Sequence, residues 1–69
     1  MEAEEWGRRI RAFRKLKGFT QAELAESLGI SLSILGEIER ENRIPNKMII
    51  EQIAQILGIT VDELIKFND

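Results

Sequence analysis

The sequence contains no cysteine, histidine or tyrosine, and only one proline among its 69 residues. Without cysteine there is no disulfide, and without cysteine or histidine the usual structural zinc sites are excluded. A chain this short must then be stabilised by helix packing around a modest core, which 43% hydrophobic residues can supply. The lack of cysteine also fits a reducing compartment, so a cytoplasmic location is expected.

Long apolar runs and recognisable catalytic groupings are missing as well. No apolar stretch approaches the roughly 18 residues of a membrane span, and the acidic start does not resemble a signal peptide, so no membrane partner is expected. The chain has no histidine or cysteine to serve as base or nucleophile and no glycine-rich phosphate loop. These features predict that the protein is not an enzyme and uses no metal, cofactor or small-molecule ligand.

The formal net charge of −2 argues at first against a nucleic-acid partner. The basic groups are nevertheless concentrated in residues 1–20, which carry six arginines and lysines against three glutamates. The remainder of the chain is acidic. This distribution permits binding to DNA without requiring it.

The spacing of apolar residues, and the glycines and proline that separate the amphipathic segments, predict a compact all-α, five-helix fold in one domain, residues 1–69. Residues 3–17 form the first helix, with Trp6, Ile10, Phe13 and Leu16 on one stripe. Residues 46–57 and 61–67 form the fourth and fifth helices. β-branched residues give a strand some weight in 46–57, but their spacing has the wrong period for alternation. Inward-facing positions there are Ile49, Ile50, Ile53, Ala54 and Leu57.

Polar residues that cap helix N-termini mark the helix starts. Thr20 with Glu23, and Thr60 with Glu63, have the spacing of a capping box. Single caps are predicted at Ser31 and Asn46. Residues 20–40 therefore form two short helices joined by a tight turn at a glycine, which is the spacing of a helix-turn-helix.

Several stretches resemble the Cro/Xre family of helix-turn-helix regulators, which includes phage repressors. The likeness begins at Arg8-Arg-Ile-Arg-Ala-Phe-Arg-Lys-Leu-Lys-Gly-Phe-Thr-Gln-Ala-Glu-Leu-Ala and continues through Leu28-Gly-Ile-Ser. It resumes at Ile38-Glu-Arg, Arg43-Ile-Pro and Ile56-Leu-Gly-Ile-Thr-Val-Asp-Glu-Leu. The resemblance implies a lambda-repressor-like fold and a sequence-specific regulator of double-stranded DNA, acting as a repressor and homodimer on a palindromic operator.

By that resemblance, residues 31–40 are the recognition helix, which lies in the major groove. The residues expected to face base edges are Leu32, Ser33, Gly36 and Glu37. Those expected to contact phosphates are Gln21, Ser31, Arg40, Asn42 and Arg43. Arg14 and Glu39 match an ion pair between the first and third helices of the family. The candidate dimer residues are Ile59, Val61, Ile65 and Phe67, with core packing as the alternative for each.

Some positions depart from the family pattern, because many members carry basic or amide residues in place of Leu32, Gly36 and Glu37. The alternative for Glu37 is an exposed ion pair with Arg40. For Gly36 the alternatives are tight packing against a neighbouring helix or a glycine that the helix merely tolerates. Leu32 could be an ordinary exposed leucine.

Two further regions carry alternatives. Arg8, Arg9 and Arg11 could form only a solvated face. Glu41 stands where relatives often have glycine, so Asn42 or a loosened turn is expected to absorb the chain reversal. A competing function is a protein-interaction module that retains this fold without binding DNA, which the acidic balance favours.

Overall fold

The computed structural model describes residues 3–65, with side chains from residue 6 onward. Within that range it contains five α-helices and no strand, which confirms the predicted all-α fold. The helices are α1 (Ala3–Leu16), α2 (Gln21–Leu28), α3 (Leu32–Glu39), α4 (Lys47–Leu57) and α5 (Val61–Ile65). The last two residues of the expected fifth helix, 66 and 67, lie outside the described residues.

Side-chain caps begin α2, α3, α4 and α5. The Thr20 hydroxyl accepts the Glu23 backbone N–H at 3.0 Å, and the Glu23 carboxylate accepts the Thr20 N–H at 2.8 Å. Thr60 and Glu63 repeat this arrangement with the same two distances. The single caps are Ser31, which accepts from Ile34, and Asn46, which accepts from Ile49. Each cap contributes about 1 kcal/mol, which matters in helices of only five to eleven residues.

Every helix contributes at least one fully buried side chain to a single apolar core. These side chains are Ile10, Leu24, Leu35, Ile38, Ile53 and Leu64. Leu16, expected on the inward stripe of α1, is instead 74% exposed, so that prediction is wrong. At 100° per residue, Leu16 lies about 120° around the helix from Ile10, whereas Arg14 lies only about 40° away. Arg14 is therefore the residue that turns inward.

Gly7 allows α1 to lie directly against the end of α3. A β-carbon built on Gly7 would come within 2.6 Å of the Ile38 carbonyl oxygen and 2.8 Å of the Glu39 carbonyl oxygen. These atoms are backbone and cannot swing aside as a side-chain tip could. The absence of a side chain at Gly7 therefore sets the distance between the first and third helices.

The turn after α3 is built on a left-handed glutamate. Glu41 has φ 67°, its N–H donates to the Ile38 carbonyl, and the next N–H, from Asn42, donates to the Glu37 carbonyl. This is the Schellman pattern of helix termination, in which glycine is the usual left-handed residue. The expectation that Asn42 or a loosened turn absorbs the reversal is wrong. Glu41 takes the conformation itself, and its carboxylate accepts the Arg8 backbone N–H at 3.2 Å.

Arg9 ties α1 to α5. Its Nε donates to the Leu64 carbonyl at 2.8 Å, and a second guanidinium nitrogen donates to the Glu63 carbonyl. The same guanidinium lies 5.6 Å from the centre of the Phe13 ring. The alternative of a solvated arginine face is therefore wrong for Arg9, while Arg8 and Arg11 are exposed.

Candidate nucleic-acid interface

Helix α3 is buried on one face and open on the other. Leu35, Ile38 and Glu39 are buried against the rest of the domain, whereas Leu32 is 51% exposed and Ser33 is also exposed. Ser31 holds the start of the helix through its cap, and its hydroxyl hydrogen remains available as a donor. The open side of α3 therefore lies on a helix whose opposite face is packed against the rest of the domain and anchored there.

The anchor is a buried ion pair between Arg14 of α1 and Glu39 of α3. Arg14 Nε donates to Glu39 Oε2 at 2.7 Å and Arg14 Nη2 donates to Oε1 at 3.1 Å, so the pair is bidentate. The third donor, Arg14 Nη1, reaches the Phe19 carbonyl at 2.9 Å. Only 9% of the Arg14 side chain and 3% of the Glu39 side chain are exposed. Because both charges are hydrogen-bonded as well as paired, their burial is compensated.

Gln21 joins the same network from the first turn of α2. Its Nε2 donates to Glu39 Oε1 at 3.1 Å, and the residue is only half-buried. The side-chain amide carries two N–H groups, of which Glu39 takes one. One carboxylate thus fixes Gln21 relative to α3 and leaves an N–H donor at a helix N-terminus, where anions are favoured.

A polar cleft of about 330 Å³ opens above this network, lined by Arg11, Arg14, Gln21, Glu39 and Arg40. Since Glu39 neutralises Arg14, the exposed guanidinium groups of Arg11 and Arg40 give the cleft a positive rim. Arg11 was not among the residues expected from the sequence to contact DNA. The signal that could have found it is its spacing of three from Arg14, which places both residues on one side of α1.

Arg40 and Gly36 are in contact on the open side of α3. A β-carbon at Gly36 would lie 2.9 Å from Arg40 Nη1, which shows that the guanidinium folds back over the glycine. Gly36 is buried, and the three atoms nearest to such a β-carbon all belong to the Arg40 guanidinium.

Glu37 pairs with Arg43, so the alternative of a Glu37–Arg40 pair is wrong. Arg43 Nε lies 2.7 Å from Glu37 Oε1, and the two side chains are 50% and 39% exposed. The chain reversal at Glu41 brings Arg43 back toward α3, whereas Arg40 is occupied over Gly36. Asn42 is exposed beside this pair.

The candidate dimer residues lie at the other end of the chain. Ile59, Val61 and Ile65 are half-buried and pack against the core, so each shares its surface between core and solvent. Phe67 lies outside the described residues. Among residues 3–65 there is no helix long and apolar enough to cross a membrane, and no grouping of acidic side chains suited to a metal ion.

Two capped helices are joined by a turn at a glycine, and the second helix is buried on one face and exposed on the other. This arrangement defines a helix-turn-helix protein. The helix-turn-helix family model HTH_3 matches residues 10–64, and the chain belongs to this family. Membership confirms the resemblance to Cro/Xre regulators. It also confirms the prediction that the protein is not an enzyme, because the family consists of transcriptional regulators.

Individual relatives support the same classification. YazB of Bacillus subtilis, an uncharacterised HTH-type transcriptional regulator, is 67% identical over 64 residues, with 93% of each chain covered. The immunity repressor of Bacillus phage phi105 is 41% identical over 59 residues, which are 86% of this chain but 41% of the repressor. The structure of the biofilm regulator SinR in complex with DNA matches with a TM-score of 0.81 and 35% identity, covering 88% of this chain and 98% of that one.

Proposed function

We propose that this protein is a sequence-specific regulator of transcription that binds double-stranded DNA in the cytoplasm, as a repressor and as a homodimer on a palindromic operator. The observation that carries the proposal is the position of Gln21 beside α3, with both held by Glu39. The Gln21 amide, fixed at one end of α2, would donate a hydrogen bond to a DNA phosphate. That contact sets the depth and register at which the open side of α3 enters the major groove.

On this account the outward side chains of α3 read base edges. Ser33 is exposed and can hydrogen-bond several bases, while Leu32 can pack on a thymine methyl group. Glu37 can accept from the cytosine N4 amino group. Gly36 lies under Arg40 and does not contact a base. Because it has no side chain, it leaves space for the Arg40 guanidinium.

Phosphates would be held around this reading surface. Gln21 offers its remaining amide N–H, and Arg40 and Arg43 offer guanidinium groups at the C-terminal end of α3. Ser31 and Asn42 supply further polar contacts at the two ends of the helix. Arg11 joins them as a candidate because it lines the same cleft as Gln21.

A homodimer would double the number of base pairs read, since one recognition helix reads few. The supporting observation is that Ile59, Val61 and Ile65 remain partly exposed although they are apolar. They are the proposed contact surface, together with Phe67.

A protein-interaction module is the second candidate. It is favoured by exposed apolar side chains at and just beyond α3, namely Leu32 at 51%, Ile44 at 71% and Met48 at 66%. A protein partner bound there would show a weak dependence on salt, whereas DNA binding weakens steeply as salt rises.

The test is selection of bound duplexes from a random pool, followed by titration of the enriched duplex at several salt concentrations. We expect a two-fold-symmetric motif and a steep salt dependence. Gln21→Ala should weaken binding to all duplexes alike, while the control Gln52→Ala, an exposed glutamine on α4, should leave binding unchanged. A failure to bind any duplex at low salt would favour the interaction module.

A further inference from the structure

The ion pair between Glu37 and Arg43 lies on the surface proposed to read bases. Its two groups have opposite proposed tasks, because Glu37 would accept from a base and Arg43 would bind a phosphate. With 2.7 Å between Arg43 Nε and Glu37 Oε1, the carboxylate neutralises the guanidinium and holds it beside α3. While the pair is closed, Arg43 brings no net charge to a phosphate, and Glu37 keeps only its second oxygen for a base.

The turn after α3 builds this pair into the backbone. The N–H of Asn42, the residue before Arg43, donates to the carbonyl of Glu37 itself at 2.9 Å. Glu41, at φ 67°, supplies the left-handed step that makes this hydrogen bond possible, and Arg8 of α1 holds its carboxylate. The backbone therefore returns Arg43 to Glu37, and the pairing does not depend on a chance meeting of two long side chains.

We infer that Glu37 is a specificity-determining residue that controls whether Arg43 is available to DNA; this rests on the proposed function. On DNA that presents an amino donor such as cytosine N4, the carboxylate accepts from the base and Arg43 moves to a phosphate. On DNA that presents only acceptors there, an unpaired carboxylate would face acceptors and phosphates. Glu37 then stays paired with Arg43, and the neighbouring carboxylate cancels the attraction between Arg43 and a phosphate.

The experiment compares two duplexes of equal length, one enriched by the wild-type protein from a random pool and one of random sequence. Glu37→Gln removes the charge that holds Arg43. Affinity for the random duplex should rise by up to about fivefold, the scale of one exposed charge pair. The slope of log affinity against log salt should steepen by about 0.9 on that duplex, as expected for one added phosphate contact. On the enriched duplex the slope should stay unchanged, because Arg43 is already on a phosphate there.

Two controls separate this mechanism from general electrostatics. Glu26→Gln makes the same charge change at an exposed position of α2 that forms no ion pair within residues 3–65, and it should affect both duplexes equally. In an Arg43→Gln background, Glu37→Gln should no longer steepen the slope on random DNA.

The inference is overturned if Glu37→Gln behaves as Glu26→Gln does, or if its effect persists without Arg43. Absence of wild-type binding to every duplex at low salt would instead overturn the proposed function, and this inference with it. Thermal unfolding monitored by circular dichroism should confirm that these exposed substitutions leave the fold intact.

Discussion

Gly7 and Ile38 are in backbone contact across the first and third helices, at a distance that leaves no room for a methyl group on Gly7. A β-carbon there would lie 2.6 Å from the Ile38 carbonyl oxygen. Through this contact, the N-terminal half of α1 supports the C-terminal half of the proposed recognition helix.

Gly7→Ala should therefore destabilise the protein, although alanine usually stabilises a helix relative to glycine by about 1 kcal/mol. We expect the free energy of unfolding, measured by urea denaturation, to fall by roughly 1–3 kcal/mol, because helix α3 must move to accommodate the methyl group.

Gly36→Ala is the matched control, since it is also a helical glycine with a close neighbour. That neighbour is the end of the flexible Arg40 side chain, which can swing away. Stability should rise by up to about 1 kcal/mol. If both substitutions changed the free energy of unfolding in the same direction, that result would contradict the contact between Gly7 and the α3 backbone.

The two ion pairs should differ sharply in their effect on stability. Glu39→Gln leaves the Arg14 charge buried without a counterion, which should cost roughly 3–5 kcal/mol. Arg43→Gln breaks an exposed pair and should cost at most about 1 kcal/mol. Urea unfolding of both variants measures the difference.

If Glu39→Gln does not fold, the double variant Arg14→Met with Glu39→Leu keeps the test decisive. Replacing both charges by apolar side chains of similar volume should restore most of the lost stability. Similar losses for Glu39→Gln and Arg43→Gln would show that Arg14 and Glu39 do not form the buried pair.

Glu41 should be tolerant of glycine and intolerant of alanine. Glycine relieves the left-handed backbone, offsetting the loss of the hydrogen bond to Arg8, so Glu41→Gly should stay within about 1 kcal/mol of the wild type. Alanine keeps the strain and removes the hydrogen bond, so Glu41→Ala should lose about 1 kcal/mol relative to the wild type and be about 1–2 kcal/mol less stable than Glu41→Gly.

Glu51→Ala, at an exposed position in α4, controls for the removal of a carboxylate. A result in which Glu41→Ala is as stable as Glu51→Ala would contradict the role given to the Glu41 side chain.

Local signals were sufficient to predict where the helices begin. The capping boxes at Thr20 and Thr60 each depend on a partner three residues away, and the structure forms both. The stripe of α1 was less reliable at its end, because spacings of three accumulate an angular drift that carries Leu16 out to solvent. Short-range chemistry was predictable, while the inward face of a helix near its end was not.

Apart from the Arg14–Glu39 pair, which the family resemblance implied, contacts between distant parts of the chain carried no signal in the sequence. Arg9 meets Leu64 across 55 residues, and Arg8 meets Glu41 across 33. Nothing in the spacing marks either contact. The partner of Glu37 was misassigned for the same reason: the i+3 neighbour was the obvious choice, and the turn at Glu41 that delivers Arg43 was not foreseen.

The open side of α3 is the surface proposed to read bases. The most direct measurement is selection of duplexes from a random pool by Ser33→Arg, with Ser27→Arg on α2 as an equal charge change at another exposed serine. If the outward residues of α3 touch bases, Ser33→Arg will enrich a motif that differs from the wild-type motif at one position in each half-site, favouring guanine there. Ser27→Arg will enrich the wild-type motif. Identical motifs for the two variants would contradict base reading by α3.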